Sequence, residues 1–246
     1  MKVAMLGATS GMGRAIAQRL AARGESLFLL GAHEDLLAKS AADLKARHPQ
    51  QRDCRYAQCD LEHPEQFAAA LDAADRALHQ FDCVIVTAGM FATQAALEAD
   101  IELTRRLLTV NFANTIVFCE HVRKRLLARG GGRLVVFSSV AGDRGRKPVA
   151  LYGPSKAGLA TYLEAIDHKF HAEGLSVLCV KPGFVKTSMT AGLKVPPFAG
   201  EPGAVADQVI GAIDRRRAVV YAPPIWRLIM FIIRQLPRAI MRRIGI

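Results

Sequence analysis

Seven short runs rich in apolar residues recur along the chain, at 2–6, 26–30, 54–58, 83–87, 133–138, 176–180 and 218–221. Most are continuously apolar rather than alternating. That is the signature of strands covered on both faces, as in a parallel sheet. Between them lie longer stretches with helical patterning, near 13–23, 34–47, 64–78, 97–128, 152–173 and 203–216. Repeated strand–helix alternation predicts an α/β fold with a doubly wound parallel sheet of about seven strands. The composition changes at Pro223-Pro224, where a basic, apolar segment begins. The expected division is therefore a domain over 1–222 and a helical extension over 223–246.

The first strand runs into Gly7-Ala8-Thr9-Ser10-Gly11-Met12-Gly13, which opens the first helix. Glycines there allow a tight turn and close approach to a pyrophosphate. The helix amino terminus adds unpaired N–H groups and the positive end of a dipole. The spacing is GxxxGxG rather than GxGxxG, so position after the first strand carries the reading: a Rossmann-type cofactor loop. The second strand ends in Leu30-Gly31-Ala32-His33, with no carboxylate at Gly31 or Ala32 to hold an adenosine ribose diol. No arginine stands there for a 2′-phosphate either. Without an acid to repel that phosphate, NADP(H) is expected over NAD(H). Asp60, followed by Leu61, stands after the third strand, either beside the adenine ring or as a helix cap before Pro64.

Tyr152-Gly153-Pro154-Ser155-Lys156 places a phenol and an ammonium four residues apart, on one helical face. A neighbouring cation favours the phenolate and would lower the phenol pKa, suiting it to exchange a proton with an alcohol oxygen. Ser139, expected at the end of the fifth strand, could hold a substrate carbonyl. A YxxxK match alone is common. One preceded by Ser138-Ser139-Val140-Ala141-Gly142 at a strand end is far rarer. Pro154 is expected in the first helical turn, where a missing N–H costs little.

With these motifs in order, the chain resembles the short-chain dehydrogenase/reductase family over essentially its whole length. The resemblance implies a cofactor loop at Gly7, Gly11 and Gly13, and a nicotinamide cradle at Pro182-Gly183-Phe184-Val185-Lys186-Thr187. Val86-Thr87-Ala88-Gly89 is similar to the family's NNAG, with Val86 and Thr87 in place of the asparagines. Asn111 resembles the catalytic asparagine that holds a water against the lysine, completing a tetrad with Ser139, Tyr152 and Lys156. The expected cofactor contacts are thus Gly7, Thr9, Ser10, Gly11, Met12, Gly13, His33, Asp60, Leu61, Ala88, Gly89, Tyr152, Lys156, Pro182, Gly183, Val185 and Thr187. From Gly132 onward the chain also resembles a narrower branch, the decaprenylphosphoryl-2-keto-ribose reductases. It does so through Ser139-Val140-Ala141-Gly142-Asp143-Arg144, Lys186-Thr187-Ser188-Met189-Thr190-Ala191-Gly192-Leu193-Lys194, and Tyr221-Ala222-Pro223-Pro224 with Leu236-Pro237-Arg238 in the tail. That likeness implies a 2-keto sugar on a polyprenyl phosphate. The short segment between Thr187 and Pro202 implies little lid and a relatively open cleft.

Charge adds one element. The 33 basic and 22 acidic residues leave a net +11, and from Arg215 to the end there are eight arginines and no acid. Such an excess favours anionic partners, yet no helix-turn-helix, zinc-finger or aromatic RNA motif appears, so nucleic acid is not expected. Within 225–243, Arg227, Arg234, Arg238 and Arg242 fall on one helical stripe, with apolar residues on the other faces and Pro237 set to kink or divide the helix. That pattern suits a helix lying in an anionic membrane interface. It equally suits a helix packed on a partner subunit or over the substrate cleft. No apolar run reaches the roughly 20 residues of a membrane span, and the amino terminus is too short in apolar residues for a signal peptide. The five cysteines, Cys54, Cys59, Cys83, Cys119 and Cys179, form no CxxC pair and are expected as buried reduced thiols in a cytoplasmic protein, placed at the inner face of the membrane if the tail binds lipid. His168 and His171 are expected on a solvated helix face, and no metal is expected. The expected function is interconversion of a ketone and a secondary alcohol, on a soluble or lipid-linked carbonyl, in a homo-oligomer. A cofactor-binding regulator without chemistry is the alternative, and the complete tetrad argues against it.

Overall fold

In the computed structural model, which describes residues 1–49 and 54–245, all seven strands join one parallel sheet. The strands are β1 (Lys2–Leu6), β2 (Ser26–Gly31), β3 (Arg55–Gln58), β4 (Cys83–Val86), β5 (Gly132–Phe137), β6 (Leu175–Pro182) and β7 (Val219–Ala222), in the order β3-β2-β1-β4-β5-β6-β7. Every pairing is parallel, with Val3 beside both Leu27 and Cys83. Strands β1, β4 and β5 are nearly solvent-free, which explains their unbroken apolar sequence.

Helices cover both faces. On one lie α1 (Gly11–Ala22), α2 (Glu34–Arg47) and α8 (Pro202–Asp214), whose Ile16, Leu20, Leu37 and Val205 pack on Val3, Met5 and Ile85. On the other lie α3 (Phe67–Leu78), α6 (Thr115–Leu127) and α7 (Tyr152–Phe170), with Phe67, Phe118, Val122 and Leu159 against Ala4, Val84 and Val136. Phe67 and Phe118 meet edge to face at 5.3 Å. The strand order reverses between β1 and β4. Their carboxyl ends open a crevice there, the usual place for a ligand in such folds.

The helix expected over 97–128 is broken into four pieces. They are α4 (Gln94–Ala99), α5 (Ile101–Leu108), a π turn over Thr109–Asn114, and α6. The breaks follow from local caps. Thr93 Oγ1 accepts the Ala96 N–H at 3.3 Å, and Asp100 Oδ1 accepts the Leu103 N–H at 2.9 Å. Each cap offers the backbone a better partner than a continued helix would. The wider turn at 109–114 carries Asn111 inward, a pattern often found at functional sites.

The extension forms two helices, α9 (Ile225–Gln235) and α10 (Arg238–Arg243), divided at Leu236-Pro237, where the backbone is extended. The four arginines therefore do not share one stripe: Arg227 and Arg234 lie on α9, Arg238 and Arg242 on α10. Trp226, Ile229, Met230 and Ile233 form the inward face of α9, with Met230 fully buried. Among the described residues no helix is long and apolar enough to cross a membrane. All five cysteines are buried and unpaired.

Candidate active site

The glycine loop follows β1 into α1 at the crevice. Gly7 has φ +99°, and a side chain on it would strike Ala88 N at 2.5 Å. A Cβ on Gly13 would stand 2.2 Å from Gly7 O and 2.5 Å from Thr87 Oγ1. Gly13 thus serves close packing of the loop against its own turn and β4, rather than clearance for a pyrophosphate. Thr87 Oγ1 donates to Gly7 O at 2.9 Å and fixes the loop. The sequence noted Thr87 only as a departure from NNAG; a hydroxyl directly after a buried strand was the available signal.

Gly7, Thr9, Ser10, Gly11, Met12, Gly13, His33, Asp60, Leu61, Ala88, Gly89 and Thr187 all line one cavity of about 360 Å³. Asp60 Oδ1 accepts the Glu62 N–H at 3.0 Å, so it shapes a turn at the cavity wall rather than capping a helix. Arg106 also lines this cavity, clasped by both carboxylate oxygens of Glu62, a pair that the sequence did not single out. Gly31 ends β2 and Ala32 follows it; both line the cavity, a Cβ on Gly31 would lie 3.4 Å from Leu37, and the Ala32 carbonyl is held by Gln58 Nε2 at 2.9 Å. A protein cradle of backbone glycines at a helix start, with an elongated cavity beyond, fits a dinucleotide.

A second cavity of about 650 Å³ adjoins the first through Met12, Thr87, Gly89, Met90, Thr187 and Met189. Ser139, Tyr152, Lys156, Pro182, Gly183 and Val185 line it. β5 ends at Phe137, two residues before Ser139, which instead caps a short 3₁₀ turn by accepting the Ala141 N–H at 3.1 Å. The Ser138 hydroxyl donates to Lys156 O at 2.8 Å and pins the start of α7 to the strand end. Helix α7 begins at Tyr152, so Pro154 does lie in its first turn. Lys156 is 5% exposed, and its Nζ donates to Phe137 O at 3.1 Å. Phe91 meets the Tyr152 ring edge to face at 5.3 Å, a contact no motif announced.

Electrostatics here differ from the expectation that Lys156 lowers the phenol pKa. The ammonium stands 5.9 Å from the centre of the Tyr152 ring. Burial pushes the phenol up to about 12, with a hydrogen bond from Ser139 pulling the other way. Burial likewise pushes Lys156 down to about 8. Desolvation is the leading cause of both shifts.

Asn111 is 1% exposed. Its Oδ1 accepts the Met90 N–H at 2.7 Å and its Nδ2 donates to Met90 O at 2.8 Å, so the side-chain amide holds the segment after β4. A Cβ on Gly89 would fall 3.0 Å from Asn111 Oδ1 and 3.4 Å from Lys156 Nζ, so both side chains converge on Gly89.

The cleft is more enclosed than the short 187–202 segment suggested. Met189, Thr190, Leu193, Lys194 and Pro196 line it, and the extension adds Trp226 and Gly245. The Trp226 ring lies so close over Gly183 that a Cβ there would be 2.1 Å from Nε1. His168 and His171 are exposed, as expected.

A family model described as short chain dehydrogenase matches residues 2–195. An uncharacterized oxidoreductase of Mycobacterium tuberculosis is 30% identical, covering 98% of this chain and 96% of the relative. A short-chain dehydrogenase from Sphingobium yanoikuyae, solved in complex with NADPH, superposes with a TM-score of 0.80 at 27% identity, covering 90% of this chain and 87% of that one. An actinorhodin polyketide ketoreductase variant with NADPH gives 0.79 at 25% identity, over 89% and 94%. The fold, the ordered motifs and these likenesses agree: the chain belongs to the short-chain dehydrogenase/reductase family of oxidoreductases.

Proposed function

We propose that the protein is an NADPH-dependent reductase that converts a ketone to a secondary alcohol at Tyr152, Ser139 and Lys156. The observation that carries this reading is the meeting of a half-buried phenol, a hydroxyl and a buried ammonium in a cavity continuous with the glycine-loop cavity. The nicotinamide cofactor, held by Gly7, Thr9–Gly13, His33, Asp60, Leu61, Ala88, Gly89 and the 182–187 cradle, supplies the hydride equivalent. NADPH is favoured because no carboxylate stands at Gly31 or Ala32, and because both NADPH-bound structures above share the fold. Ser139 donates to the substrate carbonyl oxygen and orients it. Tyr152, protonated up to about pH 12, gives that oxygen its proton. Lys156 places positive charge near the phenol as it ionises. Asn111, which anchors Met90 through both of its main-chain groups, positions the Gly89–Met90 segment and holds a water against Lys156.

In its narrower form the substrate is a polyprenyl-phosphate-linked 2-keto sugar, met by a cytoplasmic enzyme at the inner face of a membrane. Supporting this is the outer face of α9, where Leu228, Phe231 and Ile232 are 57%, 63% and 55% exposed beside Arg227 and Arg234. Ile101, Leu108, Phe112 and Val117, exposed along α5 to α6, support a homo-oligomer. Residues 1–222 are read as the catalytic unit and the segment from 223 as its membrane-facing extension; Ile246 lies outside the described residues.

The test is oxidation of NADPH against a panel of ketones. The wild type should turn over, and Tyr152→Phe should lose roughly 10²-fold or more, as expected for a general acid. Near-normal turnover by the variant would overturn the assignment.

A further inference from the structure

We infer that the reductase carries an oxyanion subsite beside its catalytic cavity, built around Arg146, and that its carbonyl substrate bears a phosphate group that binds there. The inference rests on the reductase reading and names the substrate class of that site.

The first observation is an unmatched cation. Arg146 lines the catalytic cavity together with Tyr152 and Ser139. Its Nε is shielded from solvent without a hydrogen-bond partner, and its guanidinium is in no ion pair among the described residues. The adjacent acid, Asp143, is already engaged: Oδ1 accepts Lys181 Nζ at 2.6 Å and Oδ2 accepts the Tyr221 hydroxyl at 2.7 Å. Burial pulls the guanidinium in the direction of losing its charge, which a guanidinium in practice does not do. A shielded charged donor without a partner is costly and calls for an explanation.

The second observation is the neighbouring cavity, of about 590 Å³, which shares Arg146. Arg144, Arg146, Lys147, Arg238 and Arg242 line it, with no acidic residue among the described residues. Arg144 and Lys147 donate to main-chain carbonyls of the extension, Leu236 O at 2.9 Å and Arg242 O at 2.6 Å, and so close the cavity without neutralising it. None of the five forms a salt bridge among the described residues, although the same molecule pairs Arg23, Arg106, Arg123 and Arg129 with carboxylates.

The third observation is Trp226 Nε1, another shielded donor without a partner on the wall of the catalytic cavity. The unmatched buried groups at this site are donors. A ligand rich in acceptor oxygens answers them, and a multiply charged phosphate answers the five cations better than one carboxylate does. Planar guanidinium groups are suited to bidentate phosphate contact. Arg146, common to both cavities, would bridge the reacting end of the substrate and its phosphate.

The experiment compares 5-oxohexyl phosphate with neutral 6-hydroxy-2-hexanone, under saturating NADPH, for wild type, Arg146→Met, Arg146→Lys and Arg238→Gln/Arg242→Gln. Wild type should prefer the phosphate ester. Arg146→Met should lose about 30-fold to 100-fold in kcat/KM on the ester, the scale of one charged hydrogen bond, and a loss at least about tenfold smaller on the neutral ketone. Arg146→Lys should recover part of the loss, and the double variant should lose less than Arg146→Met. A further arm presents the same keto phosphate esterified to a long alkyl chain in neutral micelles. Preference for the soluble ester assigns the site to free phosphates, and preference for the alkyl diester to a lipid-linked one; either upholds it. Equal turnover of charged and neutral ketones by wild type, or equal losses on both in Arg146→Met, overturns the subsite while leaving the reductase standing. Failure to reduce any ketone would instead overturn the reductase reading.

Discussion

At the residue scale, Tyr152 and Lys156 set a pH dependence. Tyr152 holds its proton to about 12, and Lys156 loses its own near 8, displaced downward by burial. Reduction needs a protonated phenol and a charged lysine, so both conditions hold below pH 8 and the second fails above it. The kcat/KM for ketone reduction should therefore be level from pH 6 to 7.5 and fall through an apparent pKa of about 8. That limb reports groups in the free enzyme. Lys156→Arg, charged throughout this range, should remove it even if overall activity drops; an unchanged limb would mean another group is responsible. A second residue-scale test concerns the cofactor. Gly31 and Ala32 both line the cavity, but a Gly31 side chain would start in contact with Leu37, so Ala32 is the position chosen for an acid to meet the ribose. Ala32→Asp should shift the ratio of kcat/KM for NADPH over NADH towards NADH by at least tenfold, or about 1.4 kcal/mol, as an anion repels the 2′-phosphate. A ratio already favouring NADH in the wild type would refute the cofactor assignment.

At the scale of elements, the loop and α1 behave as one packed unit. Gly13→Val would drive a branched side chain into Gly7 O and Thr87 Oγ1, where overpacking costs about 1–3 kcal/mol or more. The expected outcome is a lowered melting temperature without cofactor, besides weak NADPH binding. A variant of unchanged Tm that only loses affinity would place Gly13 at the pyrophosphate instead. Sequence reasoning could not separate these, since GxxxGxG says that side chains are absent but not what fills their place. The strands were legible because burial on both faces leaves an unbroken apolar run, as in Val84–Val86 and Leu134–Val136. The glycine loop and the Tyr152–Lys156 pair were legible because each is a short local spacing, whereas Asn111 entered only through the family resemblance. The break at 100 and the π turn were not, since Asp100 reads equally well as a solvated helical residue. Nor could spacing reveal that Trp226 reaches Gly183, or that Arg146 faces Arg238 and Arg242 across a cavity. Those neighbours are brought together by tertiary folding across more than forty residues of sequence.

At the scale of the whole molecule, charge and exposed apolar surface coincide on the extension. The inward face of α9 already has its partner in the body, through Trp226, Ile229, Met230 and Ile233, which accounts for half of the helix's apolar residues. The other half faces outward: Leu228 and Phe231 at the centre of the exposed face, Ile232 and Ile225 along one edge, Arg227 and Arg234 along the other. A helix so arranged can dip its outer apolar residues into a lipid surface while the arginines meet anionic headgroups. Each basic residue near such a surface adds about 1 kcal/mol, so Arg227 and Arg234 together would contribute roughly 2 kcal/mol, screened over a Debye length of about 8 Å at physiological salt. Apolar insertion, at about 25 cal/mol per Å², is far less sensitive to salt. The protein should therefore sediment with phosphatidylglycerol vesicles, bind phosphatidylcholine vesicles more weakly, and be only partly released by 0.5 M salt, a level of ~3-fold above physiological. Arg227→Gln/Arg234→Gln should lose the salt-sensitive part. Leu228→Gln/Phe231→Gln should lose the resistant part. Because none of these four side chains lines the catalytic cavity, NADPH affinity should stay within about twofold in both variants, a change under ~0.5 kcal/mol. A stable oligomer in light scattering that ignores both kinds of vesicle at low salt, and falls apart in Leu228→Gln/Phe231→Gln, would assign this face to a second copy of the chain instead and remove the membrane from the proposal.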